Sequence, residues 1–244
     1  MPTPPLPLLV INLDRDAARW ESARGQLAAL GLDGERVPAV EGAKLPPEEM
    51  ARLYSPARNA HRFFRPLTPA EIGCYASHLR CAQIIVERGL PGAVILEDDL
   101  MVRPDFPALL DSLAGLARPY DLIKLYSNVT RFTALQPLAA GYRLCRFRRM
   151  PITTLAYALS RAGADKFLQN ALPMGRPVDV DFKHWWEWKL DILGVTPNAI
   201  TPAPVASSIG ERTRLHRNLP TRLRRLRYKL AYAFLLWLHG PGPA

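Results

Sequence analysis

The sequence contains few features that would cross-link or anchor it. It has only three cysteines in 244 residues, and this odd number predicts free thiols in a reducing compartment. Cys74 and Cys81, seven residues apart on one predicted helix, are expected to be small buried thiols and not metal ligands. The apolar run at residues 230–238 is about half of the roughly 20 residues that a spanning helix needs. No cationic segment precedes the first apolar run, so a cytoplasmic or peripheral protein without a signal peptide is expected.

Glycine-rich phosphate loops are missing after the first predicted strand. Residues 8–11 are apolar and lead directly into Asn-Leu-Asp-Arg at residues 12–15, without the glycines of Walker or dinucleotide-binding motifs. Phosphate binding would therefore need arginine. Arg15 and Arg19 lie one turn apart at the start of a predicted helix, with Asp14 as its predicted N-cap, where they could meet a diphosphate. A solvent-exposed, salt-bridged face is the alternative.

Acidic residues are almost absent from the end of the chain. The formal net charge is +10, and eight lysines and arginines against one acid follow Ile209, so that segment carries +7 and the first 209 residues carry +3. A large charge invites a polyanion-binding interpretation, but its distribution decides where it acts. We predict a nearly neutral domain over residues 1–209 and a basic tail over residues 210–244.

Alternating strand and helix patterns indicate the fold class. Apolar segments at residues 8–11, 92–96, 122–126, 142–147 and 154–159 predict strands. Helical patterns lie between most of them, which predicts an α/β domain with a mostly parallel sheet and a ligand site at the carboxyl ends of its strands.

Two helices are predicted from clear local signals. One begins at Thr68 with a capping box to Glu71 and a proline at its first position, and it ends near Gly89. The other is a single tryptophan-rich helix over residues 180–193.

Three consecutive acids, Glu97, Asp98 and Asp99, follow the strand at residues 92–96. Adjacent carboxylates repel one another unless a cation or hydrogen-bond donors compensate them. Mg²⁺ and Mn²⁺ take oxygen ligands and commonly join carboxylates to the phosphates of a substrate. A polar turn in which an aspartate caps the next element is the alternative, and the local pattern leaves both open.

Four segments occur in an order typical of one family: INLDR at residues 11–15, LTPAEIGCYASH at 67–78, ILEDD at 95–99 and AYALSRAGA at 156–164. Over about the first 209 residues, the chain resembles glycosyltransferase family 25, the lipopolysaccharide or lipooligosaccharide core glycosyltransferases. The resemblance implies a GT-A-like, Rossmann-like nucleotide-sugar-binding fold. It also implies a divalent metal, Mn²⁺ or Mg²⁺, and inverting transfer of a sugar, most often from UDP-galactose, to a glycan hydroxyl. Thr153 and Thr154 stand where the family often has a glycine.

The resemblance also suggests roles for individual residues. The predicted donor-binding residues are Asn12, Arg15, Arg19, Glu97 and Asp98. Asp99, with Glu97, would hold the metal, whose third ligand stays open; His184 and His216 are candidates by residue type alone. Ser77 and His78 would line the donor or acceptor cleft, and a structural hydrogen bond is the alternative role of His78.

Inverting transfer needs a base beside the acceptor hydroxyl, commonly a carboxylate. Asp179, which follows a Pro-Val turn, is the candidate, with Asp181 and Glu187 in reserve. Capping of a helix is the alternative role of Asp179. Trp186 belongs to a segment with three tryptophans in four positions and could stack on the acceptor sugar, although burial in the core is the more common use of such residues.

The basic tail has helical spacing. The apolar residues at this spacing are Leu219, Leu223, Leu226, Leu230, Phe234 and Trp237. The basic residues within the same segment are Arg222, Arg224, Arg225, Arg227 and Lys229. A basic amphipathic helix can lie among anionic headgroups, where each basic residue adds about 1 kcal/mol. These residues, with Trp237, are therefore predicted to contact the inner face of the cytoplasmic membrane; a helix packed on the domain is the alternative.

Two further functions use the same features. Nucleic-acid binding would use the arginines of the tail, but the nearly neutral domain shows no recognised motif for it, so no such partner is expected. A catalytically inactive relative could instead act as a glycan-binding module. The intact acidic triplet favours the enzyme.

Overall fold

The computed structural model describes residues 6–129, 131–204 and 219–240. The strands are β1 (Leu8–Asn12), β2 (Gly34–Pro38), β3 (Gly92–Glu97), β4 (Leu100–Val102), β5 (Leu122–Lys124), β6 (Phe132–Pro137), β7 (Arg143–Phe147), β8 (Ala156–Ser160), β9 (Ile192–Thr196) and β10 (Ile200–Pro202). The helices are α1 (Ala17–Ala28), α2 (Pro47–Leu53), α3 (Pro56–Arg62), α4 (Pro69–Glu87), α5 (Phe106–Ala114), α6 (Arg161–Asn170), α7 (Val178–Lys183), α8 (Trp185–Trp188) and α9 (Leu219–His239). The boundary predicted between residues 209 and 210 lies outside the described residues, as does His216.

Eight strands form one sheet in the order β2-β1-β3-β8-β5-β9-β7-β6. Strands β1, β2, β3, β5, β6 and β9 run in one direction, and β7 and β8 run against them. Strands β4 and β10 form a separate antiparallel pair. The predicted α/β architecture with a mostly parallel central sheet is confirmed, and it agrees with the GT-A-like fold that the resemblance implies.

Helices cover both faces of the sheet. Tyr75 of α4 and Phe167 of α6 belong to the core on one face, and Leu27 of α1 and Phe106 of α5 to the core on the other. Because successive side chains of a strand point to opposite faces, Ala93 and Ile95 of β3 join the first core while Val94 and Leu96 join the second. The same alternation decides where the acids after β3 point.

The predicted start of α4 is confirmed in detail. Thr68 Oγ1 accepts from the backbone N–H of Glu71, at 3.2 Å, and Glu71 Oε2 accepts from the backbone N–H of Thr68, at 2.9 Å. The helix ends at Glu87, and Gly89 follows with φ +66°. A left-handed residue at this place favours glycine.

Two local predictions are wrong. The helix expected over residues 180–193 divides into α7 and α8, and Lys189 at φ +51° ends the second. Residues from Ile192 onward instead form β9, because pairing with β5 and β7 inside the sheet overrides the helical pattern. Asp14 does not cap α1, which has Asp16 at its N-cap; Asp14 pairs with Arg36 at 2.6 Å.

Two glycines hold a loop against α4. A Cβ at Gly42 would lie 1.8 Å from the carbonyl oxygen of Pro69, and one at Gly73 would lie 2.3 Å from that of Val40. Only residues without a side chain permit this approach. The loop therefore contacts α4 backbone to backbone, which fixes one wall of the cleft described below.

Gly73→Ala is expected to destabilise the protein by about 1–3 kcal/mol, because backbone atoms of the loop must move to admit a methyl group. Gly25→Ala is the matched control, since nothing lies within 4 Å of its Cβ and alanine raises helix propensity by up to about 1 kcal/mol. Urea unfolding measures both. Equal free energies of unfolding for the two variants would show that the loop yields without cost.

Helix α9 packs on the domain through one face. Tyr232 is buried at 7% exposure, and its ring lies 5.1 Å from the ring of His184 and 3.6 Å from Lys183 Nζ. Tyr228 meets Phe63 in an edge contact at 5.5 Å. The packed helix that the sequence left as an alternative is therefore present. In the part of the chain that the structure describes, no helix has both the length and the apolar content needed to cross a bilayer.

The opposite face of α9 is uncovered. Its exposed apolar side chains are Leu223, Leu226, Leu230, Phe234, Trp237 and Leu238, with Trp237 76% exposed. At about 100° per residue these side chains form one stripe, and the predicted basic residues Arg222, Arg224, Arg225, Arg227 and Lys229 are all exposed as well.

Candidate active site

A cleft opens where β1 and β3 end, with about 810 Å³ of open space. Its wall includes Arg15, Arg19, Glu41, Glu97, Asp98 and Asp99, and α4 contributes Cys74, Ser77 and His78. Nearly all of the predicted donor, metal and cleft residues therefore meet in one place, at the carboxyl ends of parallel strands, where ligands bind in open α/β sheets.

Glu97 points to the α4 face of the sheet. Thr154 Oγ1 donates to its Oε1 at 2.6 Å, and His78 Nε2 lies 3.4 Å from the same oxygen. Burial raises the pKa of Glu97, but these neighbours, together with the charge of Lys124, lower it more, so the pKa falls below its usual range. Thr154, the departure from the family pattern, thus holds the first acid of the triplet as a carboxylate.

Asp98 points to the opposite face. Its Oδ2 accepts from Asn12 Nδ2 at 2.7 Å, and its Oδ1 lies 3.4 Å from Arg19 Nη1. Asn12 is 1% exposed, donates also to the carbonyl of Asp16, and accepts from Arg36 through Oδ1 at 2.8 Å. Because its amide groups are engaged by protein partners, Asn12 positions Asp98, and its predicted contact with a donor stays a prediction.

Asp99 is the uncompensated acid of the triplet. Among the described residues its buried Oδ1 has no hydrogen-bond partner. Burial, followed by the charges of Glu97 and Asp98, raises the pKa of Asp99. A divalent cation would supply the positive charge that this carboxylate oxygen has no donor to balance, so the residues fit the metal that the resemblance implies. Asp99, with Glu97, would hold it.

The two predicted phosphate-binding arginines reach the cleft from the α1 side. Arg15 is half-exposed and pairs with Glu41, which also pairs with Lys44 at 2.8 Å. Arg15 precedes α1, and Arg19 lies within its first turn. Phosphate binding and a salt-bridged surface both stay open as roles of these arginines. The ion pair of Arg15 is exposed and contributes little to stability, so Arg15 can exchange Glu41 for a phosphate.

Lys124 is a site residue that sequence reasoning missed. It is 1% exposed at the end of β5, and its Nζ donates to the carbonyl of Thr153. Burial lowers the pKa of Lys124 to about 8, although the charges of Asp179 and Glu97 raise it. A lysine inside the apolar segment 122–126 was the available signal, since such residues are rarely buried without a partner.

Asp179 lies in the first turn of α7. Its Oδ1 accepts from the backbone N–H of Val180 at 2.8 Å, and the N-cap of the helix is Pro177, so Asp179 is not the capping residue. Burial raises its pKa, the charge of Lys124 lowers it, and the charges of Glu71 and Glu97 raise it further. A carboxylate of raised basicity suits the role of a base.

Asp181 and Glu187, the reserve bases, belong to a separate ion-pair network. Arg176 Nε donates to Asp181 at 2.6 Å, and Tyr75 donates to the other oxygen of Asp181 at 2.7 Å. Glu187 accepts hydrogen bonds from Arg176 and, at 3.1 Å, from Arg62. The side chains of Arg176 and Asp181 are 3% and 4% exposed. These contacts give both acids structural roles, which leaves Asp179 as the candidate base.

Trp186 and His184 also lie away from the acids. Trp186 stacks on His239 of α9, with centroids 5.3 Å apart, and is not among the described residues that form the cleft wall. The predicted contact with an acceptor sugar stays a prediction. His184 Nδ1 donates to the carbonyl of Val180 at 2.8 Å, and burial lowers its pKa to about 4. Its ring lies 5.1 Å from that of Tyr232 of α9, and His184 is not among the described residues that form the cleft wall.

Ser77 has a clear role in shaping the cleft. Its hydroxyl donates to the carbonyl of Gly73 and accepts from the backbone N–H of Val40, both at 2.8 Å. Ser77 thus fixes the loop that contains Val40 and Gly42 against α4. The predicted place of Ser77 in the cleft wall is matched by the geometry, and its hydroxyl acts on the protein backbone.

Comparisons with known proteins show which family the chain is similar to. The sequence profile of glycosyltransferase family 25 (LPS biosynthesis protein) matches residues 6–182. A glycosyltransferase 25 family member from Drosophila melanogaster is 31% identical over 187 residues, which cover 71% of this chain and 29% of that protein. Procollagen galactosyltransferase 1-B from Xenopus laevis is 32% identical over 181 residues, covering 71% and 30%.

Inactive glycosyltransferase 25 family member 3 from Homo sapiens is 31% identical over 188 residues, again covering 71% and 30%. The chain thus spans less than a third of the length of these relatives. A solved glycosyltransferase involved in the glycosylation of the major capsid of PBCV-1 is similar over 78% of this chain and 81% of that one, with 13% identity and a TM-score of 0.41. On the profile match, the chain belongs to glycosyltransferase family 25.

Proposed function

We propose that the protein is a metal-dependent, inverting glycosyltransferase that moves galactose from UDP-galactose to a hydroxyl of a lipopolysaccharide, lipooligosaccharide or related glycan. The observation that supports it most is the buried, unpartnered Asp99 oxygen in a cleft that also presents Arg15 and Arg19. Acids and arginines in one cleft suit a diphosphate bound through a cation. The galactose donor is inferred from the name of the Xenopus relative, a procollagen galactosyltransferase, and the acceptor class from the family, which is described as one of LPS biosynthesis proteins.

The residues of the chain divide the reaction between them. Asp99 and Glu97 hold the cation, which when bound offsets negative charge on the departing diphosphate. Arg15 and Arg19 contact the phosphate oxygens from the α1 side, since a guanidinium binds phosphate in bidentate fashion. Asp179 takes the proton of the acceptor hydroxyl as its oxygen bonds to the anomeric carbon and the bond from that carbon to the diphosphate breaks. A single displacement inverts the anomeric centre.

A donor screen tests this function. The full chain is incubated with UDP-galactose, UDP-glucose and UDP-N-acetylglucosamine, with Mn²⁺ or EDTA, and UDP release is measured with and without a core oligosaccharide. Turnover that needs both Mn²⁺ and acceptor is expected with UDP-galactose. Acceptor binding without UDP release from any donor would instead identify a glycan-binding module, the alternative that the inactive human relative illustrates.

Asp99→Asn is expected to weaken Mn²⁺-dependent binding of UDP by about tenfold, or about 1.4 kcal/mol, because the amide keeps the shape of the side chain but not its charge. Calorimetry with and without EDTA measures the difference. Asp165→Asn is the control, since Asp165 is an exposed acid on α6. Unchanged affinity in Asp99→Asn would move the metal to other ligands.

Membrane attachment through α9 is a second part of the proposal. The exposed apolar stripe with its exposed basic neighbours supports insertion among anionic headgroups. The face of α9 that carries Tyr228 and Tyr232 packs on the domain, so the opposite face can insert while the helix stays packed. This placement would hold the enzyme peripherally at the inner face of the cytoplasmic membrane, beside a lipid-linked acceptor.

The triple variant Leu230→Ser, Phe234→Ser, Trp237→Ser is expected to bind vesicles containing phosphatidylserine at least about tenfold more weakly, because three apolar side chains lose their insertion. Cosedimentation measures the bound fraction. Met101→Ser with Ile152→Ser is the control, since both residues are exposed and lie off α9. Equal binding by the triple variant and the control would reject the attachment.

A further inference from the structure

The capped helix α4 brings two soft ligand atoms to the floor of the cleft. Cys74 and His78 are four residues apart on α4, so they lie on one face of the helix. Their Sγ and imidazole nitrogen lie, together with a carboxylate oxygen of Glu97, within 4.8 Å of one another. Cys81 fits the expectation of a buried thiol at 0% exposure, whereas Cys74 is partly exposed and belongs to the cleft wall.

The imidazole of His78 is held in one orientation with one nitrogen unused. His78 is 1% exposed, and its Nδ1 lies 2.9 Å from the hydroxyl of Tyr157. Its Nε2 has no hydrogen-bond partner among the described residues and lies 3.4 Å from Glu97 Oε1. Without a metal ion, a proton on Nε2 lies between these two atoms and lowers the pKa of Glu97; when Nδ1–H donates to Tyr157, the lone pair of Nε2 faces the carboxylate oxygen and a metal ion takes the place of that proton. Two electron-rich atoms in a buried place favour a cation between them.

The surroundings of the three side chains resemble those of metal ligands. Ligating histidines commonly use their second ring nitrogen in a fixed hydrogen bond, and ligating carboxylates are themselves hydrogen-bonded. Tyr157 supplies the first contact, and Thr154, at 2.6 Å, supplies the second. The 3.4 Å between His78 Nε2 and Glu97 Oε1 compares with about 3.3 Å between two ligands of a tetrahedral zinc ion at bond lengths of about 2.0–2.1 Å.

We propose that Cys74, His78 and Glu97 form a binding site for a thiophilic divalent ion of the Zn²⁺ class. One sulfur, one nitrogen and one oxygen ligand select Zn²⁺ or Co²⁺ over Mg²⁺, which prefers oxygen alone. Three protein ligands leave the fourth position open toward the cleft for an oxygen anion or water. The site is distinct from the cation held by Asp99, and it stands whether or not the chain transfers a sugar; Glu97, with two oxygens, serves both.

Cobalt substitution tests the site without reference to turnover. The full chain is stripped with EDTA and titrated with Co²⁺, and the near-ultraviolet charge-transfer band from thiolate to Co²⁺ is recorded. We expect one equivalent of Co²⁺ with this band, and its loss on addition of Zn²⁺. Cys74→Ser should abolish the band, while Cys81→Ser, a buried thiol on the same helix, should keep it.

The remaining variants separate the two cation sites. His78→Gln is expected to weaken Co²⁺ binding at least tenfold with circular dichroism unchanged, and Asp99→Asn is expected to retain the band. A band that survives Cys74→Ser, or no band at all, would overturn the inference. A band lost in Asp99→Asn would also overturn it, by assigning the ion to the donor site, and would leave the proposed transferase in place.

Discussion

Replacing Asp179 by asparagine is expected to lower turnover by about 10²- to 10⁴-fold, the usual contribution of a general base. Binding of UDP and the circular dichroism spectrum should not change, because the amide keeps the shape of the carboxyl group and Asp179 is not the N-cap of α7. Steady-state UDP release and calorimetry measure the two quantities. Asp165→Asn serves again as the exposed control.

The acid limb of the pH profile gives a second measure of Asp179. Burial raises its pKa, so activity that needs the carboxylate is lost as the pH falls through a value above the usual 3.9 or so for aspartate. The charge of Lys124 opposes that rise. Lys124→Met should therefore shift the limb to higher pH, and Lys124→Arg should shift it less.

Two outcomes would contradict this assignment. Full turnover of Asp179→Asn would show that another group accepts the proton. An acid limb that stays in place in Lys124→Met, with turnover measurable, would show that Lys124 does not set the basicity of Asp179. The expected combination is a lower turnover of Asp179→Asn at every pH and an acid limb displaced to higher pH in Lys124→Met.

Arg176→Met is expected to reduce the free energy of unfolding by about 3–5 kcal/mol, the cost of leaving a buried charge without its partner. Among the described residues, Asp181, at 4% side-chain exposure, would keep the hydroxyl of Tyr75 as its one side-chain partner. Urea unfolding at pH 7 measures the loss. Arg62→Met is the matched control, because Arg62 is 36% exposed and its ion pair with Glu187 lies near the surface, so its loss should cost about 1 kcal/mol or less.

The deficit of Arg176→Met should shrink in acid. Burial already raises the pKa of Asp181 in the native protein, and Arg176 lowers it, so removal of Arg176 raises the pKa further. An acid whose folded pKa lies above its unfolded pKa loses stability as the pH rises through the folded value. Stability lost in this way returns as the pH falls, so a pH series of unfolding measurements should show a deficit that decreases from pH 7 toward acid. A constant deficit would point to lost packing alone.

The sequence correctly predicted those elements whose structure is determined by interactions between neighbouring residues. The capping box of α4 and the strand that ends in the acidic triplet are short segments whose own residues favour their structure. The meeting of Arg19, Glu97 and Asp99 in one cleft followed from a general property of parallel sheets. Placement of the acids on opposite faces follows from the period of two in a strand.

Long-range pairing produced what the sequence did not reveal. Tyr75 lies 106 residues before Asp181, so no local pattern predicts the hydrogen bond between them. Lys124 is buried because β8 and β9 flank β5 on both sides. The helix expected over residues 180–193 was displaced by the same pairing of β9.

The reversed direction of β8 determines which changes of loop length would affect the cleft. Because β8 runs against β3 and β5, the residues that precede Ala156 arrive at the cleft, where Thr153 and Thr154 contact Lys124 and Glu97. The connection from β8 to α6 lies at the other edge of the sheet. Changes of loop length before β8 would therefore alter substrate choice, whereas changes after it would leave the chemistry intact, which makes the first loop the natural place to re-engineer specificity.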